Sequence, residues 1–187
     1  MGFTQKYPMI KVLHSGFTLV ELLIVIAIIG VLAVVVLVAI NPTEQLAKGR
    51  DSGRISTTTQ VGRIIQAYYT AHVSQPNPYP RETPSFVWDD DLVSTGELST
   101  FPGATAYSAY GISACSENAV NDYCYDWASG LGSIIYLRME SMTQNAKCSG
   151  GNVAWAVFST GDGRGGVVCG AVSGLDPWAP GAGPAYQ

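Results

Sequence analysis

The chain has 187 residues, 47% of them hydrophobic and only 13% charged, with 10 Lys and Arg against 14 Asp and Glu for a net charge of −4. That length suits one compact domain plus an appendage, since domains commonly run to roughly 100–150 residues, and so little charge argues that one segment is not meant for water. Beyond residue 80 only Arg81, Arg138, Lys147 and Arg164 stand against the acids from Glu82 to Asp176, so this half repels nucleic acid and no direct nucleic-acid partner is expected.

Residues 1–16 carry Lys6, Lys11 and no acid, and residues 17–40 then run FTLVELLIVIAIIGVLAVVVLVAI with Glu21 as their single charge. About 20 apolar residues at 1.5 Å each span a hydrocarbon core of about 30 Å, and lysines on the leader side predict that the leader stays cytoplasmic while the rest is exported. Burying the carboxylate of Glu21 in hydrocarbon costs at least about 2.5–3.5 kcal/mol on insertion scales, so it needs a partner. Pro42 cannot donate to the carbonyl of Val38, and Asn41 and Glu44 have capping-box spacing, which predicts a helix kink or break near Pro42. Residues 41–74 then read as an amphipathic helix, with Val61, Ile64, Ile65, Tyr68 and His72 along one face. Its first half sets Gly49, Gly53 and Gly62 among polar residues, has no good apolar stripe and needs neighbours.

The prolines between Ser74 and Pro84 end that helix, and a loop carrying Asp89, Asp90 and Asp91 leads to Phe101 and Pro102. Residues 75–187 form the expected head. Thr105–Ile112, Ser133–Met139, Val153–Phe158 and Gly166–Val172 are β-branched and aromatic runs that predict antiparallel strands. Gly161–Gly166 supplies turn chemistry, and the tail Gly174–Gln187 lacks a period and is expected to be loose. The fold class is therefore α+β: a long N-terminal helix, transmembrane and then amphipathic, packed on a small antiparallel sheet. The four cysteines lack a CxxC pair and lie far in sequence from His14 and His72, so two disulfides are expected in preference to a metal site. Of the three possible connectivities, Cys115 with Cys124 closes a short loop and Cys148 with Cys169 brackets the last hairpin.

The junction before the apolar run carries the functional signal. A basic leader, Gly16, then Phe17-Thr18-Leu19-Val20-Glu21 and an uninterrupted apolar helix closely resemble the class III leader of type IV pilins and type II secretion pseudopilins. The likeness covers residues 1–74 well and the head only in outline. It implies that a prepilin peptidase cuts after Gly16, that the new amine of Phe17 is N-methylated, and that Glu21 pairs with the Phe17 amine of an adjacent subunit to set axial register. It also implies other copies of the chain, inner-membrane platform proteins and an assembly ATPase as partners. The precursor would sit in the inner membrane, single-pass with its head outside, and then enter an extracellular or cell-surface filament serving adhesion, motility or DNA uptake. A secretion pseudopilin is the competing reading, although no calcium-binding loop near the C-terminus is identifiable. A membrane-anchored extracellular enzyme or binding module is a third.

No catalysis is expected. His14 would leave with the leader, and neither a GxSxG elbow nor a phosphate loop occurs. No cofactor is expected. Asp89–Asp91 lack the alternating spacing of a calcium loop. The many tyrosines and tryptophans fit core packing better than a ligand platform.

Overall fold

The structure is a computed structural model that describes residues 16–81, 87–105, 107, 112, 115 and 119–187. It divides into two units, residues 1–41 and 42–187. In the first, α1 runs Leu19–Ile40. Its 22 residues are long and apolar enough to cross a membrane, and none of them is buried. Asn41 ends α1 in the left-handed conformation, at φ 47°, which asparagine tolerates better than most residues.

The second unit opens with α2, Pro42–His72, and continues through α3, Trp88–Ser94, to a five-stranded sheet. Its strands are β1 Ala119–Val120, β2 Tyr123–Ala128, β3 Gly132–Arg138, β4 Val153–Ser159 and β5 Arg164–Gly170, with the short helix α4, Met142–Asn145, between β3 and β4. The sheet is antiparallel throughout, in the order β1-β2-β3-β4-β5. Each connection explains a register. Val120 pairs with Tyr123 across Asn121 and Asp122, both at positive φ, which is the two-residue hairpin turn whose twist matches that of paired strands. Gly130 and Gly132, at φ 80° and 93°, shape the β2–β3 turn.

The sheet is covered on both faces, which is why Ile134-Ile135-Tyr136-Leu137 is an unbroken apolar run rather than an alternating one. Ile135, Leu137, Ala154, Ala156 and Phe158 share a core with Val61, Ile65 and Tyr68 of α2 and Trp88 and Leu92 of α3. Ile134, Tyr136, Trp155, Val157 and Val168 form the opposite core with Trp178 of the tail. At Gly62 α2 packs closely on the sheet: a Cβ there would overlap the Phe158 ring.

Three differences from the sequence reading have physical causes. Strand β2 is missing from that reading because Tyr123–Ala128 has no glycine at its start, although Asn121-Asp122 marks a hairpin. Helix α3 was expected as loop, since seven residues allow only one i,i+4 apolar pair, Trp88 and Leu92, both buried; its first-turn aspartates suit a helix N-terminus. Of the expected strand Thr105–Ile112, Thr105, Tyr107 and Ile112 have no regular structure, and the rest lies outside the described residues. The tail is irregular but fastened. Asp162 accepts from the Trp178 indole at 2.8 Å, the Gly181 amide at 2.8 Å and the Tyr186 hydroxyl at 3.1 Å, while Arg164 lies 3.8 Å over the Tyr186 ring.

Candidate assembly site

Gly16 and Phe17 precede α1 and are exposed, Phe17 at 85%. Thr18 is the N-cap. Its backbone is extended, its hydroxyl accepts from the Glu21 amide at 3.2 Å, and its own amide and hydroxyl each donate to Glu21 Oε2 at 2.8 Å. This is a reciprocal capping box, which satisfies donors that a helix start otherwise leaves unpaired. Within its own chain Glu21 is therefore hydrogen-bonded to neutral donors of Thr18. The Thr-x-x-Glu spacing that marks such a box is present in the sequence at Thr18 and Glu21. Both carboxylate bonds fall on Oε2. The leader, with Lys6, Lys11 and His14, lies outside the described residues.

Pro42 is the first residue of α2, where its missing N–H and fixed φ are tolerated. The polar first half of α2 docks through charge. Ala47, Asp51, Arg54 and Thr58 form its buried stripe and continue into Val61, Ile65 and Tyr68. Asp51 accepts from the backbone amides of Glu140 and Ser141 at 2.9 and 2.8 Å and from Arg54 at 2.6 Å. Glu140 reaches back in return, accepting from Arg54 at 3.2 Å and from Arg50 at 2.8 and 3.0 Å. About two turns before Asp51, Glu44 accepts from the Thr143 hydroxyl at 2.7 Å and from the Thr143 and Met142 amides at 2.9 and 3.1 Å, and the Thr143 bonds above all hold its carboxyl below the usual range against the opposing effect of burial. Arg54 also lies 4.4 Å over the Tyr107 ring, whose hydroxyl burial pushes up to about 12. The neighbours that this half of the helix needed are therefore the segment between β3 and α4.

Both disulfides are within the head: Cys115 joins Cys124 at the start of β2, and Cys148 joins Cys169 in β5, with Cα separations of 6.0 and 5.5 Å. Of the aspartate run, Asp91 is committed to Arg81, accepting from its amide at 2.8 Å and its guanidinium at 2.7 and 3.1 Å. Asp89 is half-buried and Asp90 exposed. Burial, then the neighbouring Asp90 charge, raises the carboxyl of Asp89. Among the described residues no three His, Cys, Asp or Glu side chains gather as metal ligands would. His72 stacks on Tyr68 at 4.1 Å, with Nδ1 2.8 Å from the Tyr68 carbonyl.

Residues 13–37 match the family described as the prokaryotic N-terminal methylation motif. It is the class III prepilin leader of type IV pilins and pseudopilins, and here it spans the junction, the capping box and most of α1. No curated protein and no solved structure matches the chain. The motif supports a type IV pilin-like or pseudopilin-like subunit whose precursor is anchored in a membrane by α1.

Proposed function

We infer that the chain is a structural subunit that polymerises, after cleavage between Gly16 and Phe17 and methylation of Phe17, into a type IV pilus-like filament for adhesion, motility or DNA uptake. The observation that carries this reading is α1: a methylation motif covers most of an apolar helix of 22 residues, none of which is buried. In water each Leu, Ile and Val side chain gains about 1.5–3 kcal/mol from burial, so α1 requires lipid before assembly and neighbouring α1 helices afterwards. The processing enzyme, platform proteins and assembly ATPase are the partners that this life cycle needs. A pseudopilin that pushes substrates through a secretion channel shares all these steps, and two disulfides with a sizeable head favour the surface filament.

Glu21 has two jobs in this reading. Thr18 engages Oε2 and leaves Oε1 for the Phe17 amine of a neighbour, a pairing that selects one axial register among many apolar alternatives. Mass spectrometry of the mature N-terminus tests the processing step: a chain beginning at methylated Phe17 is expected, and one beginning elsewhere sinks the reading. Glu21→Gln separates the two jobs, because glutamine can complete a capping box but carries no charge. The expected outcome is normal processing and membrane insertion with filaments scarce or short in electron micrographs of sheared fractions. Filaments at wild-type yield would show that charge pairing is not what Glu21 provides.

A further inference from the structure

Beyond the end of α2 the head has a cleft of about 400 Å³ that filament assembly leaves unexplained. Three half-buried aromatic rings form its wall: Tyr69 from α2, Tyr79 from the proline-rich loop and Trp127 from β2. They stack in file, Tyr69 on Tyr79 at 4.7 Å and Tyr79 on Trp127 at 5.7 Å. Tyr79 and Trp127 rest on the main core, so the stack has a fixed base. The opposite rim is the β2–β3 turn, where Gly130 is exposed with open space around it, Gly132 is buried against Thr160 and Gly161, and the Leu131 amide, bonded to Ala128 O at 3.1 Å, holds the bend. Asn77 and Ser129, both exposed, add an amide and a hydroxyl at the edge.

The chemistry of this lining narrows the occupant. Among the described residues no charged side chain lines the cleft, so no side chain there forms an ion pair with a phosphate, a carboxylate or a cation. Aromatic faces are electron-rich and attract the weakly positive C–H edges of a saturated ring, while amide, hydroxyl and backbone groups suit a ligand with many neutral hydroxyls. The volume falls near the lower end of small-molecule sites, which run to about 300–1,000 Å³. We propose that this cleft is a carbohydrate site that takes one or two rings of a neutral sugar against the Tyr69–Tyr79–Trp127 wall. A proline-rich peptide also stacks on aromatic rings, but it has few donors to use the amide, hydroxyl and backbone rim.

The test uses the mature full-length protein in a detergent without a sugar headgroup. Saturation-transfer NMR and tryptophan fluorescence are recorded with galactose, glucose, N-acetylglucosamine, lactose, maltose and diacetylchitobiose, and separately with octaproline. At least one of the sugars is expected to bind with a Kd of about 1 mM or tighter. Asn77→Ala and Ser129→Ala should each weaken it about 5–10-fold, with unchanged thermal unfolding because both side chains are exposed. Trp127→Ala should abolish binding, and Trp127→Phe, which retains a ring over the core, should weaken it. No saturable binding of any of these sugars up to about 50 mM overturns the proposal. So does sugar binding that both Asn77→Ala and Ser129→Ala leave untouched, or octaproline binding where the sugars do not.

Discussion

Helices α1 and α2 adjoin in sequence and differ in what they bury. The more apolar one, α1, buries none of its 22 residues, whereas α2, with mostly polar residues over its first half, buries eight of its 31. Apolarity says that a segment must leave water but not what will cover it. A polar segment docks where a partner supplies complementary groups, and α2 has such a partner in Glu140 and the backbone amides beside it. A buried charge network is weak evidence of net stability, because desolvation offsets much of its attraction, but it does specify one arrangement.

Breaking that network should give the largest effect. Asp51→Ala strands two backbone amides and leaves the buried Arg54 one acid short, which should cost about 3–5 kcal/mol, read by denaturant unfolding of the solubilised chain. Replacing Asp51, Arg54 and Glu140 together by apolar residues of similar volume should cost far less. If the triple variant is as unstable as Asp51→Ala, the seam contributes net stability and the view that it mainly specifies position fails. The next effect belongs to the staple that the head has and α1 lacks. Cys148→Ser with Cys169→Ser opens a loop of 21 residues and should lower stability by about 3 kcal/mol, more than the corresponding change at Cys115 and Cys124.

What the sequence disclosed follows the range of the interactions. α1 is legible from its apolar length, the second half of α2 from Val61, Ile65 and Tyr68, and β3, β4 and β5 from runs rich in β-branched and aromatic residues, although β5 runs Arg164–Gly170 and so starts and ends two residues before the expected Gly166–Val172. The seam is not, since Asp51 and Arg54 show an i,i+3 pair but Glu140 lies 86 residues beyond Arg54. The Asp162 clamp on the tail is equally nonlocal, because a Gly-Asp-Gly turn looks the same whether or not a tail lies over it. At the candidate assembly site the position of Glu21 was legible, whereas its bond to Thr18 required the capping geometry to be considered beside the charge.

Two glycines of α2 sharpen the comparison on a smaller scale. An added Cβ at Gly53 meets nothing within 4 Å, whereas at Gly62 it meets the Phe158 ring. Helix propensity alone favours alanine by about 1 kcal/mol at either position. Gly53→Ala should therefore stabilise by up to about 1 kcal/mol, and Gly62→Ala should destabilise by about 1–3 kcal/mol as the helix is pushed off the sheet. Equal signs would mean that α2 is not held against Phe158.

The smallest effect concerns the sheet's other face, which is covered by an irregular strap rather than a helix. Burial raises the carboxyl of Asp162, but hydrogen bonds from the Gly181 amide, the Trp178 indole and the Tyr186 hydroxyl outweigh it and hold the group below its ordinary value. A depressed carboxyl lends stability that is present above its unfolded value, about 3.9, and is lost as pH falls through the folded one. Tyr186 bounds the strap from the alkaline side: burial, then the Asp162 charge, raises its hydroxyl to about 12, so its contribution holds below about pH 10 and is lost as pH rises through that higher value. Trp178 emission should therefore shift as the indole becomes exposed below about pH 4, and again near pH 12; the wild-type minus Trp178→Phe difference isolates it from the other three tryptophans. Asp91, also held low through Arg81, titrates in the same acid range but lies in the α2-side packing. Asp162→Asn should therefore flatten the acid limb of the Trp178 signal, while Asp91→Asn should leave it. If Asp162→Asn keeps the full acid transition, the strap is held by Trp178 burial alone, and the two faces of the sheet are covered by the same apolar means.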